Sequence, residues 1–170
     1  MASFGSRSRF QPTLFERLFD AAPQRAAESD PLRGWSIDEL KDSVALDLEA
    51  LLNSRSALAG TVVGDFPAAR NSLVCYGMHD FVGRSMANPA DRLFICRTLE
   101  QTIATHEPRL RDVTVSLLMD ERAVNVLRFS ISAVLMVLPA QEPVSFDALL
   151  QPTTQRYSVA KGRTQAVGLA

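Results

Sequence analysis

The sequence predicts an α+β domain in which helices come first and an antiparallel sheet follows, and three observations carry that expectation. Ser36 with Glu39 three residues on forms a capping box at the head of an amphipathic run. Asn88 and Pro89 supply a cap and a first helical residue for a second run. After Pro108 the apolar period drops from about 3.6 residues to about 2 and stays there.

In the first helix Ile37, Leu40, Val44, Leu48, Leu51 and Leu52 keep one face apolar to about Ser54. The other face carries Asp38, Glu39, Asp42, Asp47 and Glu49 against Lys41, a local balance of −4 that reads as a solvated face. Gly60, Gly64, Pro67, Gly77 and Gly83 then break up residues 55–83, leaving room for a short helix around 68–74 and a turn at Tyr76-Gly77. Leu93, Cys96, Leu99 and Ile103 mark the buried face of the second helix, which must stop before Pro108.

Val113, Val115 and Leu117 alternate with Thr114, Ser116 and Leu118 in a first strand, and Asp120-Glu121 reads as a turn. A long strand follows with Leu127, Phe129, Ile131, Ala133 and Leu135 on one side. Pro139 and Pro143 bracket a connection, after which 144–150 and 155–159 can form a final hairpin.

Ahead of these elements, Leu14, Phe15, Leu18 and Phe19 give residues 13–22 an apolar stripe at helical spacing, closed by Pro23. A helix of three turns cannot persist alone, so it must dock on its own domain or on a partner. The expected organisation is therefore a flexible segment over 1–34 containing a docking helix, a domain over 35–160, and a disordered tail over 161–170.

Composition limits the function classes. The 170 residues carry 18 Lys plus Arg against 19 Asp plus Glu, a net charge of −1 that argues against a dedicated nucleic-acid binder. No apolar run approaches the roughly 20 residues of a membrane span. Two cysteines make no disulfide framework, and the cytoplasm is the default compartment. Sixteen of the basic residues are Arg, which reflects either coding bias or a surface suited to carboxylates.

Catalytic patterns do not emerge. His79 and His106 are isolated, and neither metal spacing, a phosphate loop nor a nucleophile elbow occurs, so no metal or cofactor is expected. Cys75 and Cys96 read as small apolar residues. Glu100 and Glu107 could be imagined as a glycosidase pair, but on one helix they stand about 10 Å apart along the axis, at or beyond the upper end of the useful window. One short segment does stand out. In Glu107-Pro108-Arg109-Leu110 proline fixes a bend, and the flanking acid and base can meet on one side, bracing a helix-to-strand corner or binding a partner.

Taken together, these segments resemble a known family. Leu14-Phe15-Glu16-Arg17-Leu18, then Asp47-Leu48-Glu49-Ala50-Leu51-Leu52-Asn53-Ser54-Arg55, Ser72-Leu73-Val74-Cys75-Tyr76-Gly77 and Glu107-Pro108-Arg109-Leu110 follow the order seen in TssE, a baseplate subunit of type VI secretion. So do Leu127-Arg128-Phe129-Ser130-Ile131, Pro143-Val144-Ser145-Phe146-Asp147 and Thr154-Gln155-Arg156-Tyr157, so that the likeness covers about residues 13–159. Cys75 stands where the family usually has Asn, His79 where Pro is common, and Gln155 where a Gly is usual.

The resemblance implies a structural subunit in wedges with TssF, TssG and TssK around a VgrG-type spike hub. It also implies a surface on which sheath subunits TssB and TssC build by strand addition. Glu107, Pro108 and Arg109 match the family's hallmark motif, taken to bind or brace the baseplate core. A lysozyme-like cell-wall hydrolase is the alternative, an old label in the family that the carboxylate spacing does not support.

Overall fold

In a computed structural model the described residues are 10, 13, 14, 18, 24, 34–56, 66, 69, 72–79, 84, 88–118, 126–137 and 140–162. The chain divides into two compact units, Met1–Val44 and Ala45–Ala170, and the division falls within the first helix.

In the first unit Phe10 and Trp35 form an antiparallel backbone bridge, with N–H to C=O distances of 2.9 and 2.7 Å. Helix α1 (Ile37–Asn53) starts as the capping box requires. The Glu39 carboxylate accepts from both the backbone N–H and the hydroxyl of Ser36, at 2.8 and 2.9 Å. Leu14 and Leu18 are helical and exposed, whereas Phe15 and Phe19 lie outside the described residues, as do Asp120 and Glu121.

The second unit holds helix α2 (Pro89–His106) and four strands: β1 (Leu110–Leu118), β2 (Leu127–Val137), β3 (Ala140–Gln151) and β4 (Arg156–Lys161). The fold class is α+β, as expected. Asn88 caps α2 by accepting from the Ala90 N–H at 3.0 Å, and Pro89 occupies the first turn, where it has no bond to lose. All strands pair antiparallel in the order β1-β2-β3-β4, the chain folding back on itself three times.

Period-2 alternation decides which face is dry. Val115, Ile131 and Phe146 lie opposite one another on the buried face, and Leu117, Phe129, Ala148 and Val159 form the next row. The middle of the other face is small and polar. Thr114, Ser132 and Ser145 form one row, and Ser116, Ser130 and Asp147 the next. Helix α2 packs along β1 and contributes Ile95, Leu99 and Ile103 to the core.

Two expectations need correction. Pro143 does not end a connection: it lies inside β3, opposite Val134, and the β2–β3 link is only residues 138–139. Its ring is tolerated because residues of its parity (Ser145, Asp147, Leu149) direct their main chain away from β2, so no ladder bond is lost. The expected helix around 68–74 is realised, among the described residues, as a 3-10 turn over Leu73–Cys75.

Candidate functional site

The corner between α2 and β1 is assembled by local bonds first. The Glu107 N–H closes the last helical turn on Ile103 C=O at 2.8 Å, and the Leu110 N–H bonds to Glu107 C=O at 3.1 Å. This is a β-turn over 107–110 with Pro108 at its second position, where a fixed φ is wanted and no N–H is needed. The Arg109 C=O then accepts from the Met136 N–H at 2.8 Å, which pins the turn to β2.

Acid and base do meet, as the sequence suggested. Arg109 grips Glu107 with two parallel bonds, Nε to Oε1 at 2.7 Å and Nη2 to Oε2 at 2.6 Å. Glu107 is buried and its partner mostly so. Arg109 also bonds to Asp47 on α1, whose carboxylate is about half exposed. Burial works against the charge on Arg109, yet hydrogen bonds and attraction from Glu107 and then Asp47 outweigh it and raise its pKa above the ordinary value. A planar guanidinium suits this role because its fork can satisfy two carboxylates at once.

The segment containing Tyr76-Gly77 arrives beside the same corner. Tyr76 meets His106 edge-on with ring centroids 5.4 Å apart, and His106 Nε2 lies 3.0 Å from the Cys75 carbonyl oxygen. Burial first, then the negative charges of Asp47 and Glu107, push the Tyr76 phenol upward. Gly77 sits at φ 110°, and a Cβ there would come within 2.7 Å of the Ser54 carbonyl oxygen. Only glycine allows that approach, which lets the Met78 N–H bond to Ser54 C=O at 2.8 Å.

The end of α1 ties in the last strand as well. Asn53 Oδ1 accepts from the Tyr157 N–H at 2.9 Å, and Asn53 Nδ2 donates to the Tyr157 C=O at 2.8 Å. Glu49 Oε2 accepts from the Val159 N–H at 2.8 Å. Arg55 Nη2 donates to Gln155 Oε1 at 3.1 Å. Segments scattered over about a hundred residues of sequence thus converge on one end of α1.

These contacts correct the reading of the acidic face of α1 as merely solvated. Glu39 caps, Asp47 pairs with Arg109, and Glu49 holds β4. The sequence signal was present only as the run Asp47 to Arg55, with no hint of its partners. The carboxylates Glu100 and Glu107 are likewise engaged, Glu100 accepting from the Val115 N–H at 2.8 Å. Burial raises the Cys96 thiol, partly offset by the Leu117 N–H, so it stays protonated and unreactive at neutral pH. Among the described residues there is no group of acids, His and Cys suited to a metal, and no helix long and apolar enough to cross a membrane.

A comparison with curated proteins gives no match. The model of one protein family, described as baseplate wedge protein gp25, matches residues 38–140, more than half of the chain and the stretch from α1 to the start of β3. With that match lying across the very segments that meet at Arg109, the chain belongs to the baseplate wedge protein gp25 family, the phage-like baseplate proteins that include TssE.

Proposed function

We propose that this chain is a structural subunit of a type VI secretion baseplate, which joins TssF, TssG and TssK in wedges around a VgrG-type spike hub and gives TssB and TssC sheath subunits a sheet to build on. It works in the cytoplasm, without cofactor or metal, and catalyses nothing. The observation that carries this reading is the corner at Arg109, where ion pairs join α1 to the end of α2 and a backbone hydrogen bond ties the turn to β2. A rigid corner presenting Pro108 at its exposed apex suits a docking element better than a catalytic cleft.

The wedge contacts proposed are Glu107, Pro108 and Arg109 at the corner and Leu14, Phe15, Leu18 and Phe19 on the N-terminal helix. Leu14 and Leu18 are each 70% exposed, as expected of a helix awaiting a groove. Two measurements test the reading. Co-expression with TssF, TssG and TssK should yield a complex that the paired substitution Leu14→Ala and Leu18→Ala, which leaves the Phe10–Trp35 bridge in place, abolishes without lowering the melting temperature; lowered stability with retained binding overturns the docking role. Incubation of the pure protein with peptidoglycan should release no soluble fragments. Sustained turnover would instead favour the lysozyme-like alternative, which the engagement of Glu100 and Glu107 in structural bonds disfavours.

A further inference from the structure

Phe10 and Trp35 each donate a backbone N–H to the other's C=O, at 2.9 and 2.7 Å. A doubly bonded antiparallel pair of this kind holds its two Cα atoms about 5.5 Å apart. Trp35 is the anchored half. Its neighbour Ser36 heads α1, where the Glu39 carboxylate takes the Ser36 N–H and the Leu40 N–H takes the Ser36 C=O. Phe10 is therefore bonded to the base of a capped helix, and both belong to the compact unit Met1–Val44.

The pair limits where the N-terminal helix can go. In an antiparallel pair the chain leaves Phe10 and returns to Trp35 on the same side, opposite to Ser36. Leu14 follows Phe10 by four residues and Leu18 follows it by eight. At no more than about 3.6 Å per residue, Leu14 stays within about 14 Å of Phe10 and Leu18 within about 29 Å. Tethered by Trp35 alone, the two would have 21 and 17 residues of chain to pay out, a range of about 75 and about 60 Å. The exposed stripe of Leu14 and Leu18 is thus kept close to the head of α1.

We propose that the Phe10–Trp35 pair is a clasp that makes the N-terminal helix a short-tethered docking element, received by an apolar groove of a wedge subunit within about 30 Å of the head of α1. This rests on the docking reading above. The gain is in effective concentration. Once the chain is bound through its corner, insertion of the helix is intramolecular, and the local concentration of a tethered group falls roughly as the −3/2 power of tether length. Opening the clasp lengthens the shorter tether from 4 to 21 residues at Leu14 and from 8 to 17 at Leu18. The corresponding losses are about 12-fold and about 3-fold.

Binding of the full chain to a TssF–TssG complex, measured by biolayer interferometry, tests the clasp in both directions. Phe10→Pro removes the donor to the Trp35 C=O and leaves Ser36 and Glu39 untouched. Trp35 is the only tryptophan of the chain, so its fluorescence anisotropy and the exchange of its amide report whether the pair has opened. The open variant should bind about 3- to 12-fold more weakly at an unchanged melting temperature; wild-type affinity with the pair open overturns the clasp. In the other direction, Phe10→Cys with Trp35→Cys permits a disulfide, since Cα atoms about 5.5 Å apart lie in the usual range. The oxidised form should bind at least as tightly as its own reduced form. Binding lost on oxidation and restored by dithiothreitol means that the helix must reach further, and overturns the proposal while leaving the docking role standing. If Phe10→Pro leaves the pair closed or fails to fold, the disulfide decides alone. Wild-type binding by Leu14→Ala with Leu18→Ala overturns the docking role itself, and the clasp with it.

Discussion

Asn53 and Tyr157 are bonded in both directions, side-chain amide to backbone amide, across 104 positions of sequence. The same Asn53 Nδ2 also donates to Glu49 C=O at 2.9 Å, so one side chain closes the helix end and holds the last strand. Loss of those bonds in Asn53→Ala should cost about 1–3 kcal/mol, the usual penalty for stranding partly buried backbone groups. Asn53→Asp, which keeps the acceptor and loses the donor, should fall between the two proteins. Urea unfolding measures both.

The Arg109 network should respond very unequally to truncation of its two acids' partner or of the acids themselves. Arg109→Ala leaves the buried Glu107 carboxylate uncompensated and should destabilise by about 3–5 kcal/mol. Asp47→Ala removes a half-exposed partner and should cost less than about 1 kcal/mol. Equal melting temperatures for the two variants would contradict the bracing role.

Tyr157 predicts an alkaline weakness. Its ring is buried beside Phe129, with centroids 6.4 Å apart, and its hydroxyl has no hydrogen-bond partner among the described residues. Burial, slightly opposed by Arg55, pushes the phenol up to about 12. The unfolded chain therefore releases this proton first. The contribution is intact below pH 10 and declines as pH rises from about 10 to about 12, by up to about 3 kcal/mol. Tyr157→Phe should flatten that decline and leave stability at pH 7 unchanged or up to about 1 kcal/mol higher, since it removes an unsatisfied buried hydroxyl.

Gln155 occupies a position where glycine is usual in the resembling family, and the backbone explains why. It sits at φ 52° in the turn between β3 and β4, a left-handed conformation in which an L side chain is strained. Gln155→Gly should raise stability by about 0.5–1 kcal/mol despite losing the exposed contact with Arg55, as measured by thermal melting.

What the sequence determined by itself is what depends on neighbours in the chain. Ser36 and Glu39, Asn88 and Pro89, and the run from Leu127 to Leu135 set helix starts and a strand face because caps and periodicity act within a few residues. The meeting of Glu107 and Arg109 was legible for the same reason, being a contact across two positions. The inclusion of Pro143 in β3 was not, because whether a proline breaks a strand depends on which side its missing N–H faces, and pairing decides that. Nor could the sequence reveal that Asp47 serves Arg109 or that Glu49 and Asn53 hold β4. An acid on a helix face looks solvated until the fold brings a guanidinium or an edge amide to it, and that encounter is set by packing across 62 to 110 positions of sequence, not by local pattern.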